Sequence, residues 1–179
     1  MKLFPGVHLV IGGARSGKSL HAEKLALTFP APRVYLATSL ALDRETAERI
    51  AAHRKRRGSE WTTVEEPYRL ADALERAKRL GNVVLVDCVT MWLTNLLLSD
   101  SFDAQREVDF LCNLLAKEQE IPIIVVSNEV GLGIVPENEL ARSFRDLSGI
   151  TNQKLADLAS TVTWMVAGIP VVVKDGHPE

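Results

Sequence analysis

Cysteine is scarce in this sequence. Cys88 and Cys112 are the only two in 179 residues, and they form no CxxC pair. That excludes a zinc ribbon or a disulfide-stapled scaffold and suits a reducing cytoplasm, where the chain is expected to reside. Long hydrophobic runs are missing too: the longest, Trp164 to Val173, contains Gly168 and Pro170 and is too short to cross a bilayer. An excess of one charge sign is also absent. The 21 Lys and Arg stand against 23 Asp and Glu for a net charge of −2, so no overall field draws the molecule to nucleic acid or anionic lipid, and any anion site has to be local. There is no internal repeat and no Pro-, Gly- or Ser-rich linker. The apolar start (Leu3, Phe4, Val7) lacks a small-residue cleavage site and runs directly into a glycine-rich motif, so no signal peptide is expected.

What is present is ordinary globular material, 46% apolar and 25% charged, which excludes disorder and low complexity. At roughly 150 residues per domain the length corresponds to about one domain, expected to span 1–179. Strand-like apolar runs fall at Val7 to Ile11, Arg33 to Ala37, Asn82 to Asp87, Ile121 to Ser127, Val162 to Val166 and Val171 to Lys174. Between them, amphipathic stretches near 18–29, 43–57, 67–80, 104–119 and 137–160 predict helices, the second capped by Asp43 and the last starting after Pro136. Gly149 is expected to interrupt that last helix. Segment 88–102 is apolar nearly all round (Met91, Trp92, Leu93, Leu96, Leu97, Leu98) and fits either a buried helix or a subunit contact. The alternation predicts an α/β fold with a mainly parallel sheet, flanked by helices and closed by an antiparallel C-terminal hairpin at a sheet edge.

Gly12-Gly13-Ala14-Arg15-Ser16-Gly17-Lys18-Ser19 fits G-x-x-x-x-G-K-[ST] and lies between an apolar strand and an amphipathic helix. Its glycines allow backbone N–H groups to converge on phosphate oxygens, and the following helix directs its positive end at the same anion. In that motif Lys18 reaches the β- and γ-phosphates and Ser19 is a ligand to Mg²⁺. The bland alternative is a glycine-rich turn without a ligand, but the four fixed positions arise by chance in only about one such chain in a hundred. Val83-Val84-Leu85-Val86-Asp87 is an apolar strand ending in a carboxylate. Beside a phosphate loop that acid is expected at the Mg²⁺ site; alone it would read as a turn residue.

A third constellation is Arg49, His53, Arg54, Lys55, Arg56 and Arg57. Helical spacing puts Arg49, His53, Arg56 and Arg57 on one face. Either this is a solvated basic face with an incidental histidine, or the cations meet a polyanionic nucleotide and keep the imidazole neutral, hence nucleophilic. The other histidines read as core filler (His8), helix packing (His21) and an exposed tail (His177).

With these residues the chain resembles the bifunctional adenosylcobinamide kinase / adenosylcobinamide-phosphate guanylyltransferase family of cobalamin biosynthesis. The resemblance is carried by the Gly12 to Ser19 loop, Tyr35-Leu36-Ala37-Thr38-Ser39, Arg49-Ile50-Ala51-Ala52-His53-Arg54 and Trp61-Thr62-Thr63-Val64-Glu65. It continues through Leu93 to Leu97, Ser127 to Asn138, Arg145-Asp146 and Asn152-Gln153. It implies a P-loop NTPase with a RecA-like sheet and two reactions. A nucleoside triphosphate, ATP or GTP, phosphorylates adenosylcobinamide; GTP then donates GMP to adenosylcobinamide phosphate and releases pyrophosphate, through a guanylyl-histidine at His53. Nucleotide contacts implied are Gly12 to Ser19, Ala37, Thr38, Ser39, Arg54, Lys55, Arg56, Arg57, Glu65 and Asp87. A homotrimer is implied as well, giving segment 88–102 a partner. Other readings are a small-molecule P-loop kinase without a covalent histidine and a GTP-binding switch. The guanine-reading N-K-x-D is absent, since Asn152-Gln153-Lys154-Leu155 does not fit it. A DNA-translocating ATPase is disfavoured by charge and size.

Overall fold

The computed structural model describes residues 5–40 and 58–176. The elements are β1 (Gly6–Gly12), α1 (Lys18–Ala26), β2 (Arg33–Ala37), β3 (Trp61–Glu65), α2 (Leu70–Ala77), β4 (Val84–Asp87), α3 (Val89–Leu97), α4 (Ala104–Leu115), β5 (Pro122–Asn128), α5 (Glu139–Leu158), β6 (Thr161–Val166) and β7 (Ile169–Asp175). The helix expected over 43–57, with its Asp43 cap, lies outside the described residues.

Strand residues that are apolar without interruption need cover on both faces, and the sheet supplies it. Val34, Leu36, Val84, Val86, Ile123 and Val125 point to one side, into a core completed by α2, α3, α4 and α5. Their neighbours Tyr35, Leu85, Ile124 and Val126 point to the other, where Ala22 and Ala26 of α1 meet them. The seven strands run in the order β3-β2-β4-β5-β1-β6-β7. Every neighbouring pair is parallel except β6 with β7, which form the expected edge hairpin. Its turn is Ala167-Gly168, both at positive φ (50° and 84°), the two-residue geometry whose twist matches the strands it joins.

Two expectations change, and a third is narrowed. Trp61–Glu65, not expected as a strand, is edge strand β3. Its half-exposed pattern and two threonines give no apolar run to detect. Gly149 does not interrupt the last helix: α5 runs through it for 20 residues. Buried Ser148, Thr151, Asn152 and Leu155 anchor this part of the helix, and packing outweighs the roughly 1 kcal/mol that glycine costs. Segment 88–102, expected as a buried helix or a subunit contact, holds the buried helix α3, while Leu98 just beyond it is 62% exposed. In α3, Trp92, Leu93 and Leu96 are fully buried within the chain, and the Trp92 indole N–H donates to the Tyr68 carbonyl at 2.6 Å. No helix among the described residues is long and apolar enough to cross a membrane.

Candidate active site

The carboxyl ends of a parallel sheet form the natural ligand edge of an open α/β fold, and the predicted residues collect there. Gly12 closes β1. A Cβ at this position would come within 2.6 Å of the Met165 carbonyl and 2.9 Å of Ser16 Oγ, so only glycine lets the chain turn into the loop beside β6. Gly17 is the N-cap of α1 in the left-handed conformation, φ 94°, without a side-chain cap. The first amides of α1 are therefore directed toward the loop, the arrangement that receives phosphate.

Neighbours pin the loop from both sides. The Gly168 amide in the hairpin turn donates to the Ser16 carbonyl at 3.0 Å, and the Glu129 amide beyond β5 donates to the Gly12 carbonyl at 2.9 Å. Gly13, Ala14 and Arg15 are exposed, whereas Lys18 is buried. Its ammonium donates to the Gly13 carbonyl at 2.6 Å and to Ser16 Oγ at 3.5 Å. Burial lowers the Lys18 pKa, opposed by the negative charge of Asp87. A cation desolvated in this way interacts strongly with an incoming anion.

Strand register lines up the acids. Ala37 pairs with Glu65 on one side and with Asp87 on the other, so the two carboxylates flank β2 along the same edge. Asp87 Oδ2 accepts from the Tyr35 hydroxyl at 3.0 Å. Thr38 locks the connection after β4: its hydroxyl donates to the Cys88 carbonyl at 2.7 Å and accepts from the Cys88 amide at 2.9 Å. The Asn95 side chain in turn donates to the Thr38 carbonyl at 2.8 Å. A second chain of bonds starts at α5, where Asn152 accepts from Ser127 Oγ at 2.6 Å and donates to the Asn128 carbonyl at 3.0 Å. Asn128 donates to Thr90 Oγ1 at 2.6 Å, and Thr90 meets Cys88 Sγ at 3.3 Å. The Cys88 thiol, buried and beside Asp87, has its pKa pushed up to about 11, so it is a structural thiol rather than a nucleophile.

The edge therefore unites Gly12 to Ser19, Ala37, Thr38, Ser39, Glu65 and Asp87. His53, Arg49, Arg54, Lys55, Arg56 and Arg57 lie outside the described residues. His8 is buried in β1. His21 sits in α1, its pKa lowered by burial and by Lys24. Sequence reasoning gave no role to Tyr35, Asn95, Asn128 or Asn152. The signal for them was their place in the motifs that carry the family resemblance, which names no partner for any of them.

A family profile described as cobinamide kinase / cobinamide phosphate guanyltransferase matches residues 8–173. The chain belongs to that family. It is 47% identical to the bifunctional adenosylcobalamin biosynthesis protein CobP of Pseudomonas aeruginosa, over 95% of this chain and 98% of that protein. It is 43% identical to the bifunctional adenosylcobalamin biosynthesis protein CobU of Escherichia coli, over 93% and 98%. Among solved structures it is similar to a Pyrococcus horikoshii OT3 protein (TM-score 0.54, 12% identity, 98% of this chain and 88% of that one). A type III secretion system ATPase is similar over 89% of this chain and 50% of its own (TM-score 0.55, 15% identity). RadB recombinase gives a TM-score of 0.50 at 15% identity, over 89% and 74%. At such identities these structures speak for the fold alone, that of the P-loop NTPases. As a cobinamide kinase and cobinamide phosphate guanyltransferase, the chain acts on phosphates, and its phosphate loop and two acids meet at one edge of the sheet.

Proposed function

We propose that both reactions run at this one edge, with nucleotide held by Gly12 to Ser19 and the second half of the chemistry carried by His53. The supporting observation is the convergence of a pinned phosphate loop, a buried lysine and Asp87 in a chain of this family. ATP or GTP lies with its phosphates on the loop amides and on α1, and Lys18 places its charge against the β- and γ-oxygens. Ala37, Thr38, Ser39 and Glu65 border the rest of the nucleotide. The site suits Mg²⁺: Asp87 is half-buried and takes its one described hydrogen bond on Oδ2, leaving carboxylate lone pairs of the kind a hard cation prefers. Ser19 and Asp87 would hold the ion, which when bound supplies positive charge to the phosphates.

In the kinase reaction the terminal hydroxyl oxygen of adenosylcobinamide bonds to the γ-phosphorus as the bond to the β-phosphate oxygen breaks. In the second reaction His53 attacks the α-phosphorus of GTP, pyrophosphate leaves, and a phosphate oxygen of adenosylcobinamide phosphate then displaces the imidazole to give adenosylcobinamide-GDP. Splitting the transfer lets a neutral imidazole approach the triphosphate first, avoiding repulsion between two anions. Arg49, Arg56 and Arg57 keep that imidazole neutral, and Arg54 and Lys55 join them against the departing pyrophosphate. The same reading places a homotrimer in the cytoplasm as a single domain over 1–179, and the exposed apolar edge of β7 (Val171, Val172, Val173) is compatible with contact between copies.

The deciding experiment incubates the protein with [α-32P]GTP and Mg²⁺. An acid-labile, base-stable label is expected; [γ-32P]GTP should leave none at this residue. His53→Ala should abolish label and guanylyl transfer while leaving phosphoryl transfer. Label persisting in His53→Ala, or mapping to His21, would assign the nucleophile elsewhere.

A further inference from the structure

Between β5 and α5 the chain presents an aliphatic side chain at three positions of one short loop: Leu132 is 80% exposed, Ile134 96% and Val135 59%. Soluble proteins scatter single exposed aliphatics, but a group of three on one loop with polar residues on either side marks a recognition surface. Here the polar residues are Glu129, Glu137 and Arg142.

Bonds hold the loop at both ends. Glu129 Oε1 accepts from the Gly131 amide at 2.6 Å. The Arg142 guanidinium donates to the carbonyls of Pro136 (3.0 Å) and Glu137 (2.6 Å). Asn138 caps α5 by accepting from the Ala141 amide at 3.0 Å. The aliphatic side chains are thus displayed by a braced segment. Their place is telling as well: the Glu129 amide bonds the Gly12 carbonyl, so the loop leaves the sheet beside the first residue of the phosphate loop.

We propose that Leu132, Ile134 and Val135 form the surface on which the corrin ring of cobinamide rests while its hydroxyl or phosphate reaches the nucleotide. This rests on the reading of the edge as the reaction site. A corrin is a broad apolar plate fringed by amide side chains. An aliphatic patch of this kind, with carboxylate and guanidinium groups around it, complements both parts. The proposed reading gives the nucleotide other neighbours, the loop amides for its phosphates and Ala37, Thr38, Ser39 and Glu65 for the rest. The exposed apolar residues of β7 belong to a different element, an edge strand of the sheet.

The test is the double variant Leu132→Ser/Ile134→Ser, in which both changes are at exposed side chains and leave the core intact. Cobinamide retention, followed in equilibrium dialysis by the corrinoid's own visible absorbance, should weaken about tenfold or more, as expected when two aliphatic side chains lose their contact area. Affinity for a fluorescent GTP analogue should stay unchanged, and Ile134→Val alone should behave as wild type. Unchanged cobinamide retention in the double variant overturns the proposal. So does a variant that sediments as a smaller assembly while each chain keeps its cobinamide affinity, since the patch would then join copies. Wild-type protein that binds the GTP analogue but no cobinamide would instead defeat the underlying reading of the edge, and this proposal with it.

Discussion

Lys18 shows what one residue contributes once its neighbours are known. The motif alone says that a lysine follows the loop glycine; the structure adds that its ammonium is buried and held at 2.6 Å from the Gly13 carbonyl, inside the loop it serves. Removing it takes away a point charge that the backbone amides cannot replace. Lys18→Ala should therefore lose at least about tenfold in triphosphate affinity, the equivalent of about 1.4 kcal/mol, with an unchanged circular dichroism spectrum. Isothermal titration with GTP checks this, and unaltered affinity would remove the phosphate-loop argument. Loop, lysine and Asp87 were legible in the sequence because each rests on a local pattern. The bracing contacts of Thr38, expected only as a nucleotide neighbour, and of Asn95 were not: their hydrogen bonds reach Cys88 and Pro67 across distant parts of the chain, and no local spacing encodes such pairings.

Among the elements, α5 departs most from its sequence pattern. Gly149 reads as a break, yet the helix continues because Ser148 and Thr151 are buried and Asn152 is bonded to the end of β5. A Cβ at Gly149 would meet nothing within 4 Å. Gly149→Ala should accordingly stabilise the protein by about 0.5–1 kcal/mol, through the lower entropy of the unfolded chain. A thermal melt should show Tm higher by roughly 2–4 °C, and a lower Tm would mean that the glycine serves the packing of α5. Strand β3 illustrates the converse. It was invisible because a part-exposed edge strand with no fully buried residue lacks the apolar run that identified β2, β4 and β5. The apolar helix α3 was recognised as buried or as a contact; only the packed structure decides between these, by burying Trp92.

At the scale of the whole molecule, the parallel class and the closing hairpin were legible from the alternation of runs. Strand order was legible only through the resemblance and its RecA-like sheet, because it depends on which distant strands pair. That order has a temporal side. Gly12 lies in the first strand, yet the strand is flanked by β5 and β6, and the amide that pins Ser16 belongs to Gly168. During synthesis the phosphate loop leaves the ribosome early and waits for nearly the whole chain before its walls exist. Ribosome-bound chains halted before residue 160 should fail to retain a fluorescent GTP analogue that the released chain binds. Retention by the halted chains would show that the loop does not need the wall supplied by β6 and the hairpin. A nascent chain without its hairpin is then a protein that cannot yet draw on the cell's nucleotide pool, and its affinity for GTP becomes a timestamp of completed translation.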